Sequence, residues 1–342
     1  MTQKNSGCLW MLGGFVLCLA LVIFVGVLAF GSHQMRTAVV DGAPQFEESV
    51  VVDAQRDKGA DRHAKIALIS LRGLISSAEP GVLGETMVDD LKIQLEQAAT
   101  DENVKAVVLC VDSPGGEVTA SDAIYNAVRK VREGGFGAAK PVVVSMGSLA
   151  ASGGYYVACG GSWLIASETT LTGSIGVIMQ TLNYQQLLGK VGLEPVTFKS
   201  GPFKDMLSGA REITPEEKAY VQKMVMDTYG KFVGIVARER QLDEAALRSG
   251  VADGRVLSGK DASAAKLINS LGEVEDAYAK AMELAKIKTA TVIRYESPFK
   301  LGRVLRLLGQ EESAKIEIDV TRALLPKLEA GRLYFLPAFY AP

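Results

Sequence analysis

Residues 104–145 read VKAVVLCVDSPGGEVTASDAIYNAVRKVREGGFGAAKPVVVS. Val104–Val111 is a nearly unbroken apolar run rich in β-branched side chains, the pattern of a strand buried on both faces rather than one with a wet side. Asp112-Ser-Pro-Gly-Gly116 then breaks it with turn-forming residues. Ser121–Glu133 returns apolar side chains at helical spacing, and Pro141–Ser145 repeats the strand signal. Strands alternating with helices of this length predict a parallel sheet with crossover helices, and so an α/β domain.

The same alternation extends outward. Ile66–Leu71 predicts a strand and Glu85–Thr100 a helix on the N-terminal side. Downstream, Ser162–Ala166, Gly176–Thr181 and Pro195–Lys199 predict strands, with a helix over Tyr184–Val191 between the last two. A long helix opens at Thr214-Pro-Glu-Glu217, where a capping hydroxyl, a proline at the first position and early acids coincide. Lys260–Ser270 and Glu273–Ile287 complete the helical segments, and no internal repeat is visible.

The ends differ in character. Leu9–Phe30 carries no charge and is long enough, at about 1.5 Å per residue, to cross a hydrocarbon layer of about 30 Å, which predicts one transmembrane helix. Lys4 in the short tail before it favours a cytoplasmic N-terminus, with the folded domain on the extracytoplasmic side of the cell membrane. The expected organisation is a cytoplasmic tail (1–8), the anchor (9–30), a linker (31–63), the main folded domain (64–290) and a C-terminal extension (291–342). In that extension Leu301, Val304, Leu305 and Leu308 form an apolar stripe, and Leu333–Tyr340 is an aromatic tail suited to an added edge strand.

Composition excludes several chemistries. The 342 residues are 48% hydrophobic with a net charge of -2 and no basic block, which gives nucleic acid no footprint. The two histidines, His33 and His63, lie in or beside the linker, so a Ser-His-Asp triad and a two-histidine zinc site are set aside. Cys110 and Cys159 fall in apolar segments and read as buried small hydrophobes. Gly254–Asp261 nearly spells a phosphate loop but ends in Asp261 where a hydroxyl must hold magnesium.

Four stretches remain that carry chemistry. In SMGSLAASGGYY (145–156) small residues let a strand turn sharply into a helix beginning at Ser152, which suits a nucleophile and equally a capping serine. Asp112–Gly116 can aim backbone N–H groups into a cleft, as an oxyanion hole or an acyl-thioester carbonyl site requires, or it is a plain strand-to-helix turn. TGSIGV (172–177) offers the hydroxyl of Ser174 or is a simple turn, and SGPFKDM (200–206) sets Lys204 between Phe203 and Met206, as a desolvated amine or as a plain surface charge. A lysine base must be neutral, and lowering its ordinary value near 10.4 by about three units costs roughly 4 kcal/mol of differential solvation, which an apolar site supplies.

In this order and behind an apolar N-terminal run, the four stretches resemble the signal peptide peptidase A family of Ser/Lys peptidases, which has the Clp protease and crotonase fold of repeated β-β-α and βαβ units. The resemblance runs from about Ile66 to Ile287. It implies Ser152 as nucleophile, Lys204 as general base, Ser174 as the residue orienting that lysine, and backbone N–H groups of Gly115 or Gly116 with Gly153 as the oxyanion hole. It further implies remnant signal peptides and similar hydrophobic peptides as substrates, no metal or cofactor, and a homo-oligomer with active sites at protomer boundaries. Crotonase-like acyl-CoA chemistry and a non-catalytic membrane scaffold on the same fold are the competing expectations.

Overall fold

The computed structural model of the protein describes residues 46–53, 63–78, 86–297 and 333–337. The tail 1–8, the apolar run 9–30 and the stripe at Leu301–Leu308 lie outside them. Among the described residues no helix is long and apolar enough to cross a membrane.

In chain order the elements are β1 (Glu47–Val52), β2 (Lys65–Arg72), α1 (Met87–Thr100), β3 (Val104–Ser113), β4 (Gly116–Glu117), α2 (Val118–Glu133), β5 (Val142–Ala151), α3 (Gly153–Ala158), β6 (Trp163–Ala166), β7 (Leu171–Gly173) and α4 (Gln185–Lys190). They continue with α5 (Pro215–Arg240), α6 (Glu244–Ser249), β8 (Val256–Ser258), α7 (Gly259–Ala264), β9 (Ser270–Leu271), α8 (Val274–Ala285), β10 (Thr291–Glu296) and β11 (Tyr334–Phe335). Nine strands form one sheet in the order β1-β10-β2-β3-β5-β6-β9, with β7 paired to β5 and β8 to β7. β10, β2, β3, β5, β6 and β9 run parallel. β4 and β11 form a separate antiparallel pair.

The unbroken apolar runs follow from this layering. On β3, Val107, Leu109 and Val111 face a core shared with α1, α2, α3 and α5, while Ala106 and Val108 face a second layer closed by Ala277 and Ala281 of α8. Both sheet faces are therefore covered, as parallel sheets require. Thr86 and Asp89 cap α1 reciprocally, and Thr214 and Glu217 do the same for α5 with Pro215 in its first turn, as the sequence signals there anticipate.

Several boundaries depart from expectation. Glu47–Val52 falls in the expected linker yet pairs antiparallel with β10, and β10, placed by the sequence in the C-terminal extension, pairs parallel with β2. Backbone pairing makes β1 a strand although most of its side chains are exposed, so side-chain periodicity could not reveal it. β5 continues six residues past Ser145, because Ala150 pairs with Ser113 of β3 and Leu149–Ala151 pair with β7; neighbours on both sides override the weak strand preference of its small residues. Residues 195–199 find no partner strand, with Val196 75% and Phe198 95% exposed. Of the expected strand 176–181 only a bridge at Ile178 forms.

Leu109 is fully buried in the central strand. Leu109→Ala is expected to lower stability by about 2–5 kcal/mol, to be read from the midpoint of denaturant unfolding at unchanged slope.

Candidate active site

β5 ends at Ala151 and α3 begins at Gly153, so Ser152 takes the corner between them, with φ 53° and ψ -114°. A side chain at such a backbone conformation is strained by about 1–3 kcal/mol and persists only where its surroundings fix it. Here the Ser152 N–H donates to the Gly173 carbonyl at 2.8 Å, and its own carbonyl accepts from the Tyr156 N–H at 2.8 Å. The side chain is fully buried, and its hydroxyl has no hydrogen-bond partner among the described residues. A buried hydroxyl left unpaired normally costs about 1–3 kcal/mol, so this corner is built against the grain of stability.

The Gly-Gly turn lies directly opposite. The space that a Gly115 side chain would fill is already shared by the Gly153 amide nitrogen and the Phe335 carbonyl oxygen, and a Cβ on Gly116 would collide with the Ile75 backbone. Gly115 has φ 106°, which also excludes L side chains at little cost. The Ile75 N–H donates to the Gly115 carbonyl at 2.7 Å and the Glu117 N–H to the Ile75 carbonyl at 2.8 Å. The Gly115 N–H is held at 3.1 Å by the hydroxyl of Ser113. Gly116 pairs with Phe335 across β4 and β11, and Gly115 lies against the backbone of Gly153 beside the corner at Ser152.

A groove leads to this corner and holds an extended segment of the same chain. Tyr334 and Phe335 pair antiparallel with Glu117 and Gly116, and Tyr334 exchanges both backbone hydrogen bonds with Ile178 at 3.0 Å. The expected edge strand in Leu333–Tyr340 is present at these two residues, while 338–340 lie outside the described part. The Phe335 side chain is fully buried against Tyr156 at 4.9 Å and Phe232 at 4.8 Å between ring centroids. Burial, with a hydrogen bond to Asp122, raises the Tyr156 phenol far above its ordinary range. Burial also pushes the Cys159 thiol up to about 12, which removes it as a competing nucleophile.

The sequence-derived residues thus divide. Ser152, Gly153, Gly115 and Gly116 converge, and Ser174 adjoins them, 2% exposed at φ 51° with its N–H on the Arg255 carbonyl at 2.8 Å. Lys204 does not join them: it sits exposed in a one-turn helix, Pro202–Asp205, and among the described residues no hydrogen bond links it to Ser152 or Ser174. Sequence reasoning missed Ser113, Ile75, Ile178 and Phe232. Only Ser113, inside the Asp112–Gly116 turn, sat in a motif that pointed to it; the others are apolar positions whose roles depend on pairing.

Residues 136–288, which include Ser152, Ser174 and Lys204, match the model of peptidase family S49, and residues 79–163 match that of Clp protease. An Enterococcus faecium protein named as a candidate signal peptide peptidase SppA is 35% identical over 255 residues, covering 74% of this chain and 72% of that protein. The chain belongs to peptidase family S49. Protease 4 of Salmonella typhi is 38% identical over 270 residues, 78% of this chain but 42% of that protein, so the chain spans less than half of that relative. Among solved structures, a ClpP1 point mutant from Listeria monocytogenes overlays with a TM-score of 0.41 at 15% identity, covering 61% of this chain and 93% of that one. As a member of family S49 the protein is a serine endopeptidase with a mixed α/β fold.

Because a Gly115 side chain would occupy the space between the two backbones, Gly115→Ala is expected to reduce peptide cleavage on the order of 100-fold. Steady-state kinetics on protein with unchanged far-UV circular dichroism checks this.

Proposed function

We propose that this S49 peptidase works through a Ser/Lys dyad in which Ser152 is the nucleophile and Lys204, supplied by a neighbouring protomer, is the general base. The observation that carries the reading is the buried Ser152 hydroxyl, without a hydrogen-bond partner among the described residues, on a strained corner next to Gly153, whose backbone meets that of Gly115. Such a hydroxyl costs stability in the resting protein, and its partner is the lysine that the single chain withholds. A second observation supports a peptide substrate: the groove already holds an extended segment paired on one side by Gly116–Glu117 and on the other by Ile178.

In the proposed reaction the neutral amine of Lys204 takes the proton from Ser152 Oγ as that oxygen bonds to the peptide carbonyl carbon. The carbonyl oxygen becomes an oxyanion held by the Gly116 and Gly153 N–H groups. Collapse breaks the C–N bond, and the Lys204 ammonium returns its proton to the leaving amine. Water, deprotonated by the same amine, then releases the acyl group and restores Ser152. Ser174 orients the incoming lysine.

The separation of Lys204 from its own chain's Ser152 follows from α5. Phe232, which touches Tyr156 just beyond Ser152, and Glu217, next to the Lys204 loop, lie on one helix about 22 Å apart. The arm that α5 supports exposes Leu182 at 77%, Leu193 at 61% and Phe198 at 95%, a surface suited to a second copy of the chain. In this reading the protein is a homo-oligomer anchored in the cell membrane by residues 9–30, with the catalytic domain on the extracytoplasmic side. Its substrates are remnant signal peptides and similar hydrophobic peptides.

Ser152→Ala and Lys204→Ala are each expected to abolish peptide hydrolysis without disturbing assembly. Mixed oligomers of the two variants are expected to recover part of the activity; verified mixed rings that stay silent would refute shared sites. Truncating the buried aromatic wall by Phe232→Ala is expected to raise KM for peptides with a large apolar side chain while leaving those with alanine little changed, measured on a matched peptide series.

A further inference from the structure

The segment that carries Lys204 has little apolar anchorage of its own. Leu182, Leu187, Val191, Leu193, Val196 and Phe198 are all exposed, so burial does not fix where the loop sits. A polar clamp does. Arg211 Nε donates to Asp205 Oδ2 at 2.9 Å, and Nη2 donates to Asp205 Oδ1 at 2.7 Å and to the Asp205 carbonyl at 3.1 Å. The other edge of the guanidinium donates from Nη1 to Glu217 Oε2 at 2.9 Å and to the Glu212 carbonyl at 2.8 Å, and Nη2 also reaches Glu217 Oε1. All five N–H donors of the side chain are engaged.

This clamp grips the residue next to Lys204. Asp205 closes the one-turn helix that bears the lysine, and Lys199 Nζ fastens the same turn through Asp205 Oδ1 at 2.8 Å and the Pro202 carbonyl at 3.3 Å. At the far end Glu217 is 3% exposed at its side chain and is the capping-box residue of α5, bonded to the Thr214 N–H at 2.9 Å. α5 is in turn rooted in the core by Phe232, Val233, Ile235 and Val236. Two acids, Asp205 and Glu217, balance two bases, Lys199 and Arg211, so the clamp is neutral and its charges are internally paired. Hydrogen bonds from Arg211 hold the Glu217 carboxyl at about 2 and the Asp205 carboxyl well below the carboxylate range. Depressed carboxyls contribute above their ordinary values and lose that contribution as pH falls through the lowered ones, so the clamp is intact at neutral pH.

We propose that Arg211 is a positioning residue for catalysis: through Asp205 and Glu217 it couples the Lys204 turn rigidly to α5 and so sets where the amine is presented to Ser152. The inference rests on the reading of Lys204 as general base. A lysine cannot replace this fork, because one ammonium cannot bridge two carboxylates and a carbonyl in a plane.

The test uses the full-length oligomer and a fluorogenic peptide. Displacement of a catalytic group by about 1 Å can cost on the order of 100-fold in rate, so Arg211→Ala and Asp205→Asn are each expected to lower kcat by about that factor with KM within about threefold. Arg211→Lys is expected to restore charge but not rate. The pH at which kcat/KM rises is expected to move upward in all three, because a base displaced from its site no longer meets the environment that readies it. A profile that keeps its position and only loses height would mean fewer folded molecules and would overturn the proposal. Turnover of Arg211→Ala within twofold of the parent, with Lys204→Ala inactive, would also overturn it and leave the dyad standing. Near-normal turnover of Lys204→Ala would instead remove the dyad reading itself.

Discussion

At Gly115, Gly116 and Gly153 two backbones meet at a distance no side chain would allow, and the rest of the site depends on that approach. The turn after β3 can lie against the first residue of α3 only because neither Gly115 nor Gly153 carries a side chain. Everything nearby serves this contact: Ile75 pins the Gly115 carbonyl and the Glu117 amide, Ser113 ties down the Gly115 N–H, and Tyr156 fixes the start of α3 through the Ser152 carbonyl. The parallel sheet supplies the rigid frame, because β3 and β5 are neighbours and deliver both corners from the same edge.

The corner at Ser152 illustrates how stability and function pull apart. Left-handed φ, full burial and an unpaired hydroxyl are each unfavourable, and all three fall on one residue. The surrounding core absorbs the cost through fully buried Tyr155, Tyr156, Val157 and Ala158 in α3. Lys204 poses the opposite problem. It is solvated on an arm whose apolar residues face outward and whose position is set by an ion network instead of a core. If Ser152 and Lys204 act together as proposed, a serine buried in the core and a lysine displayed on an arm suit sites completed by assembly.

Much of the fold was legible because covered strands and capped helices leave strong marks. Val104–Val111, Ile66–Leu71 and the capped start at Thr214 appear where periodicity and capping put them. The strands that were missed, β1, β4, β7, β8, β9 and β10, are short or lie at or beside a sheet edge. Their backbone hydrogen bonds depend on partners distant in the chain, and no local pattern records those partners. Within the site, Ser152, Gly153, Gly115 and Gly116 were legible because a nucleophile corner and a close backbone approach demand small residues in a fixed order. Phe232 and Ile178 look like any other apolar residue until α5 and the strand Tyr334–Phe335 bring them to the groove.

The sequence by itself determined the chemistry on offer: no histidine near the candidate nucleophile, a serine at a Gly-rich corner, a Gly-Gly turn after a buried strand, and a lysine in a Gly/Pro-punctuated loop. Those are local requirements of residue type and backbone freedom, and local sequence can express them. Tertiary structure alone decided that the serine hydroxyl is buried without a partner, that Phe335 fills an aromatic pocket beside it, and that Arg211 clamps the turn bearing Lys204. Each of these depends on residues far apart in the chain meeting at one place, and packing and pairing choose that place.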